Sequence, residues 1–126
     1  MTPSAPPARP RQGAARYRLT GRGAFEAVFE TGKRREGLYL QIVYAPARAT
    51  PGRVGYVIGR KALPRAVDRN RIRRMLRPIV QAARPGIEPY DIVVRLRKTC
   101  ARNEFGSVAA EAQRLLATLP RREGAS

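Results

Sequence analysis

Eight cationic side chains, Arg60, Lys61, Arg65, Arg69, Arg71, Arg73, Arg74 and Arg77, stand within 18 residues against one carboxylate, Asp68. That density is suited to binding a polyanion, because a guanidinium offers phosphate a planar fork of donors and also stacks on bases. Beyond Asp68 the apolar residues Ile72, Met75, Leu76, Ile79, Val80 and Ala83 recur at helical spacing, so the segment predicts a helix with Asp68 as its N-cap. At about 100° per residue, Asn70, Arg74, Arg77 and Gln81 project opposite the apolar stripe, with Arg71 and Arg73 on its flanks. Arg69 falls nearer the apolar side, in the first turn. A helix that merely solvated itself would interleave Glu for i, i+4 pairing, and none occurs between Arg69 and Ala83. Self-repulsion of this kind points to RNA or DNA.

The rest of the composition agrees. The chain of 126 residues carries 26 Lys and Arg against 9 Asp and Glu, a net charge of +17, which makes a polyanion the default partner. Of those cations 23 are Arg, a ratio that codon usage explains as well as RNA would. There is no His and Cys100 is the one cysteine. Zinc fingers, Ser–His and Cys–His pairs and an internal disulfide are thereby excluded. The carboxylates show no D-x-D or D-x-E spacing of a two-metal nuclease. No catalytic and no metal-ligating residue is expected. No apolar run approaches the ~20 residues that span a bilayer, and the amino terminus lacks the order of a signal peptide. A cytoplasmic protein with no membrane contact is the expectation.

The elements that must hold the arginines follow from periodicity. Residues 1–16 are Pro- and Ala-rich and read as a disordered basic arm, residues 17–120 as one domain, and residues 121–126 as a loose tail. Phe25, Val28 and Phe29 predict a helix from Thr20, as N-cap, to Gly32, as its terminating glycine. Leu38–Ala45 reads as a strand ended by Pro46. Val54–Gly59 reads as a second strand, whose glycine-bearing face admits either a packed helix or a ligand. Tyr90–Arg97 alternates as a strand with one buried and one wetter face. Val108, Ala112, Leu115, Leu116 and Leu119 form the stripe of a last helix, with Ser107 as candidate N-cap. The predicted order is helix, strand, strand, helix, strand, helix, without internal repeats.

The stretch RVGYVIGRKALPRAVDRNRIRRMLRPIV, Arg53 to Val80, resembles the heart of the bacterial ribonuclease P protein subunit, where a strand of R-V-G-L type leads through a basic loop into an R-N-R helix. The resemblance extends upstream to Arg18-Leu19 and the helix with Phe25 and Phe29. Downstream it reaches the strand ending in Arg97-Lys98 and the Leu-rich last helix, about 100 residues in all.

The resemblance implies an α+β fold, a single αββαβα sandwich-like domain with a central sheet and a left-handed βαβ crossover, as in the second domain of ribosomal protein S5. It implies that catalysis resides in an RNA subunit with bound Mg²⁺, which removes the 5′ leader of precursor tRNA, while the protein assists and lowers the Mg²⁺ requirement. The R-N-R role, contact with the RNA subunit, carries over to Arg69, Asn70, Arg71, Arg73 and Arg74. The neighbouring Arg60, Lys61, Arg65 and Arg77 belong to the same basic surface. Phe25 and Phe29 correspond to an aromatic pair in a cleft that holds the single-stranded leader. By spacing alone, i and i+4, two such rings are more often core than ligand contacts; the resemblance brings the two roles level, and one ring can do both. The implied partners are the catalytic RNA and precursor tRNA, with the protein a monomer in the holoenzyme.

Pro78 lies inside the arginine helix, where it removes a donor and crowds the carbonyl of Arg74. A kink or an early end near Arg77 is expected, leaving Arg84 in doubt as a contact. Pro64 holds Leu63 extended. Three other readings compete. A small ribosomal or other structured-RNA-binding protein would share the charge. A helix-turn-helix protein would need a second helix where a Gly-rich strand stands. A protein nuclease would need the catalytic groups that are missing.

Overall fold

The computed structural model describes residues 18–49 and 51–120. The arm and the tail, residues 1–16 and 121–126, lie outside the described residues. Helix α1 (Arg22–Thr31) is followed by strands β1 (Lys33–Glu36), β2 (Leu40–Pro46) and β3 (Val54–Val57), helix α2 (Ala66–Ala82), strand β4 (Tyr90–Leu96), a 3₁₀ turn at Arg102–Glu104, and helix α3 (Phe105–Ala117). The expected elements are present in the expected order, with the 3₁₀ turn and one strand added. Strand β1 is KRRE, without a single apolar residue, so no hydrophobic alternation announces it. It forms because it pairs antiparallel with β2, Lys33 opposite Tyr44 and Glu36 opposite Gln41. Its charges suit an edge strand.

The sheet runs β1-β2-β4-β3. Strands β2 and β4 are antiparallel and β3 joins β4 in parallel, so β3–α2–β4 is a crossover unit. Helices α2 and α3 cover one face, where Leu40, Ile42, Ile92 and Val94 meet Ile72, Leu76, Val108 and Leu115. Helix α1 covers part of the other, where Val28 and Leu19 meet Val43, Ala45 and Val93. Burial on both faces explains why β2 is apolar without alternation from Ile42 to Ala45. It also corrects the wetter face expected of β4. Asp91 and Val93 are buried and only Arg95 of that strand is exposed. Asp91 accepts the N–H groups of Arg48 (3.3 Å) and Arg53 (3.0 Å), which fixes the β2–β3 connection.

Several boundaries shift for local reasons. The cap of α1 is Gly21 rather than Thr20, at φ +91°, a conformation that glycine adopts without a steric cost. At its other end Gly32 is extended rather than left-handed. Glycine is required there by crowding, since a Cβ would lie 2.4 Å from the carbonyl oxygen of Val28. Helix α2 begins at Ala66, with Arg65 and not Asp68 as N-cap. Asp68 sits in the first turn, where its charge suits the helix dipole, and its Oδ1 pairs with Nε of Arg102 at 2.7 Å. The early end expected at Pro78 does not occur, because α2 continues to Ala82. Pro78 is exposed, so the carbonyl it leaves unpaired is open to water. Helix α3 starts at Phe105, not after Ser107, once the buried Phe105 ring has docked in the core.

Candidate nucleic-acid interface

Helix α2 is fastened by Ile72, Leu76 and Val80, all essentially buried. Asn70, Arg71, Arg74, Arg77 and Gln81 are exposed, and Arg73 is half-buried beside them. The faces derived from spacing are therefore the faces observed. Arg60, Lys61 and Arg65, on the loop before the helix, are exposed as well. Among the described residues, no cation from Arg60 to Arg77 forms an ion pair, and the one carboxylate of the segment is taken by Arg102. A surface this basic with no internal neutralisation leaves phosphate as its natural counter-charge.

Arg69 stands apart from the others. Its Nη1 donates to the carbonyls of Leu63 (2.8 Å) and Pro64 (2.9 Å), so its guanidinium ties the loop to the first turn of α2. Asn70 accepts from Arg73 at 3.4 Å. The loop is held from its far side too, where the Thr99 hydroxyl donates to the Lys61 carbonyl at 3.4 Å.

Phe25 and Phe29 lie on the sheet-facing side of α1, both half-buried. The glycine-bearing face of β3 admits a packed ring. A Cβ on Gly55 would lie 2.4 Å from Cζ of Phe25. Sheet positions on the same face continue past α1 through Gln41 and Arg95, which are linked at 3.5 Å. Gln41 also donates to Glu36 at 2.9 Å, and Arg97 pairs with Glu36 at 3.1 Å. The carboxyl of Glu36 is held below its ordinary value by these two partners, Gln41 first.

At the outer edge of β3 a cavity of about 290 Å³ connects the two regions. Phe25 and Leu19 line it from the α1 side, Arg73 and Arg77 from α2, and Tyr56 from β3. Reasoning from sequence treated Tyr56 only as a strand residue. The available signal was an aromatic next to Gly55 on the strand that feeds the arginine helix. Burial pushes the Tyr56 phenol up to about 12, against the opposing pull of Arg77 and Arg84. Among the described residues no three His, Cys, Asp or Glu side chains gather as a metal site. No described helix is long and apolar enough to cross a membrane.

The Ribonuclease P family model matches residues 14–120. A ribonuclease P protein component from Acidothermus cellulolyticus is 44% identical over 110 residues, covering 83% of this chain and 89% of its own. One from Synechococcus sp. (strain JA-2-3B'a(2-13)) is 37% identical over 107 residues, covering 81% and 80%. The RNase P protein from Thermotoga maritima, solved in complex with 1-(4-fluorophenyl)-2-thiourea, superposes with a TM-score of 0.71 at 28% identity, over 82% of this chain and all of that one.

Proposed function

The chain belongs to the ribonuclease P protein family, an RNA-associated component of the tRNA 5′-processing enzyme, and from that premise we propose how its surfaces divide the work. The exposed face of α2 and its preceding loop, Arg60, Lys61, Arg65, Asn70, Arg71, Arg73, Arg74 and Arg77, neutralise phosphates of the catalytic RNA. The observation that carries this is the absence of any carboxylate partner for those cations among the described residues. Neutralisation where RNA strands crowd together replaces part of the Mg²⁺ the RNA needs, so Mg²⁺ acts through the RNA and not on this chain. Arg69 supports the same surface by fixing its loop.

The cleft of α1 and the sheet, with Phe25 and Phe29, holds the unpaired leader of precursor tRNA. The rings are half-buried, which leaves part of each available for a base. Stacking of this kind tolerates any sequence and contributes on the order of 1–3 kcal/mol per base. One copy of the protein serves one RNA in the cytoplasm.

Reconstitution with the cognate RNA subunit and labelled precursor tRNA tests both parts. If about six phosphates are engaged, affinity for the RNA falls ~10³-fold between 50 and 200 mM salt, and a flat response overturns the electrostatic part. Phe25→Ala with Phe29→Ala weakens precursor binding and spares mature tRNA. Equal losses for both overturn the leader part.

A further inference from the structure

The cavity at the outer edge of β3 belongs to neither surface alone. Strand β3 pairs with β4 on one side only, and Ile92 N–H donates to the Arg53 carbonyl at 2.8 Å. Alternation then turns the Val54 peptide outward, where its carbonyl accepts Leu19 N–H at 3.0 Å. Among the described residues the Arg18 segment pairs with β3 through one bridge, Arg18 with Val54. By the same alternation the Tyr56 peptide faces outward one step further on, into the cavity. Its floor is thus apolar, from Leu19, Val54 and Gly55, and its edge offers a backbone donor and acceptor. Arg18, Arg73 and Arg77 stand around it. Arg84 closes the wall, held by Gln81 (3.0 Å), the Gly52 carbonyl (3.1 Å) and Glu88 (3.6 Å).

We propose that this cavity is a nucleotide site for the precursor's leader, in which one unpaired base packs on Tyr56 and its flanking phosphates lie against Arg18 and against Arg73 and Arg77, which stand at the margin of the α2 surface where leader and catalytic RNA share them. An apolar slot rimmed by three guanidiniums matches a base with phosphates on either side, and the backbone groups of Tyr56 can meet a base edge. The leader is favoured over the catalytic RNA because Phe25, a wall of the leader cleft, is also a wall of this cavity. A leader base is moreover unpaired beforehand, so it enters without the cost of opening a duplex. The buried phenol stays protonated at neutral pH, so it adds a hydrogen-bond donor and no negative charge. The inference rests on the leader reading above and extends it around the sheet edge.

The test uses reconstituted holoenzyme and precursor tRNAs in which single leader nucleotides are made abasic. With the natural protein, the leader position that reaches Tyr56 loses roughly 5- to 150-fold in affinity on removal of its base, the range for one base on an aromatic ring. Tyr56→Leu produces the same loss with the intact leader and abolishes the abasic penalty at that position. Tyr56→Phe, which keeps the ring, retains the abasic penalty. Mature tRNA binding stays as in the natural protein throughout. An abasic penalty at every position that Tyr56→Leu leaves unchanged overturns the proposal. So does a Tyr56→Leu defect that falls on assembly with the RNA subunit. Phe29→Leu separates the two readings, because Phe29 does not line the cavity. Loss of leader preference in Phe29→Leu but not in Tyr56→Leu removes this site and leaves the cleft standing, whereas no loss in either removes both.

Discussion

The carboxyl group of Glu111 occupies the space that a side chain at Gly37 would fill, since a Cβ there would lie 2.3 Å from Glu111 Cδ. Glu111 is buried on α3. It accepts three successive backbone N–H groups, from Leu38 (2.6 Å), Tyr39 (2.8 Å) and Leu40 (2.7 Å). The last helix thereby grips the β1–β2 turn. Hydrogen bonds to a charged group contribute about 1.5–3 kcal/mol each, net of the bonds to water they replace, and an abandoned buried donor costs about 1–3 kcal/mol. Glu111→Ala should lower the melting temperature by roughly 10 °C or more, and Gly37→Ala should lower it too by displacing the carboxylate. A thermal melt of either variant that overlays the natural protein would remove this contact from the stability account.

Arg69 and Arg74 are neighbours on one helix with different duties. The Arg69 guanidinium holds the Leu63 and Pro64 carbonyls, whereas Arg74 is exposed and has no carboxylate partner among the described residues. Arg74→Ala should weaken RNA-subunit binding and reduce the slope of log affinity against log salt by about one unit. Arg69→Ala should weaken binding with the slope nearly unchanged, and should lower the melting temperature. A slope reduced equally by both substitutions would make Arg69 a phosphate ligand.

How much of this was legible in the sequence depends on which force acted. The stripe Ile72, Leu76 and Val80 and the arginines opposite it follow from 3.6-residue periodicity, and the structure keeps those faces. Strand β1 escaped because its pairing with β2 is a backbone interaction that leaves no mark on KRRE. The start of α2 moved because Asp68, a good N-cap by type, has a better partner in Arg102, 34 residues away in the chain. Glu111 is absent from the apolar stripe read for the last helix. Its role depends on where the turn at Gly37 lands, which no local pattern encodes. The cavity at Tyr56 joins residues from α1, β3 and α2, so it exists only once the crossover is made.

Like Glu36, Glu104 carries a share of the acid pH dependence. Its carboxyl is held below the ordinary 4.5 first by the Ala101 N–H and then by the Tyr39 hydroxyl, at 2.7 Å and 3.0 Å. A carboxyl lowered on folding contributes stability that is present above its unfolded value and lost as pH falls through its folded one. The same bond raises Tyr39 above 10.0, so at the alkaline end stability declines as pH rises past that value. Melting temperature should therefore fall on acidification below about pH 4.5, and Glu104→Gln should flatten part of that limb while changing little at very low pH. An acid limb identical in the variant would assign it to other carboxylates.

The local physics of Pro78 opposes the helix it occupies. It lies within α2 on the exposed side, supplies no N–H to the Arg74 carbonyl, and crowds that carbonyl with its ring. Alanine in an ordinary helix interior is better by about 3 kcal/mol. Against this, replacing proline returns conformational freedom to the unfolded chain, a loss of about 0.4–1 kcal/mol. The helix term is larger, and no buried contact is removed, so Pro78→Ala should stabilise the protein by about 2 kcal/mol in denaturant unfolding. Arg71, Arg73 and Arg74 precede the proline by at least a turn, and the helix already passes through it unbroken. RNA-subunit affinity should then change by less than about twofold, well under the tenfold that 1.4 kcal/mol represents. Destabilisation on this substitution would mean that the proline ring packs on something the helix needs.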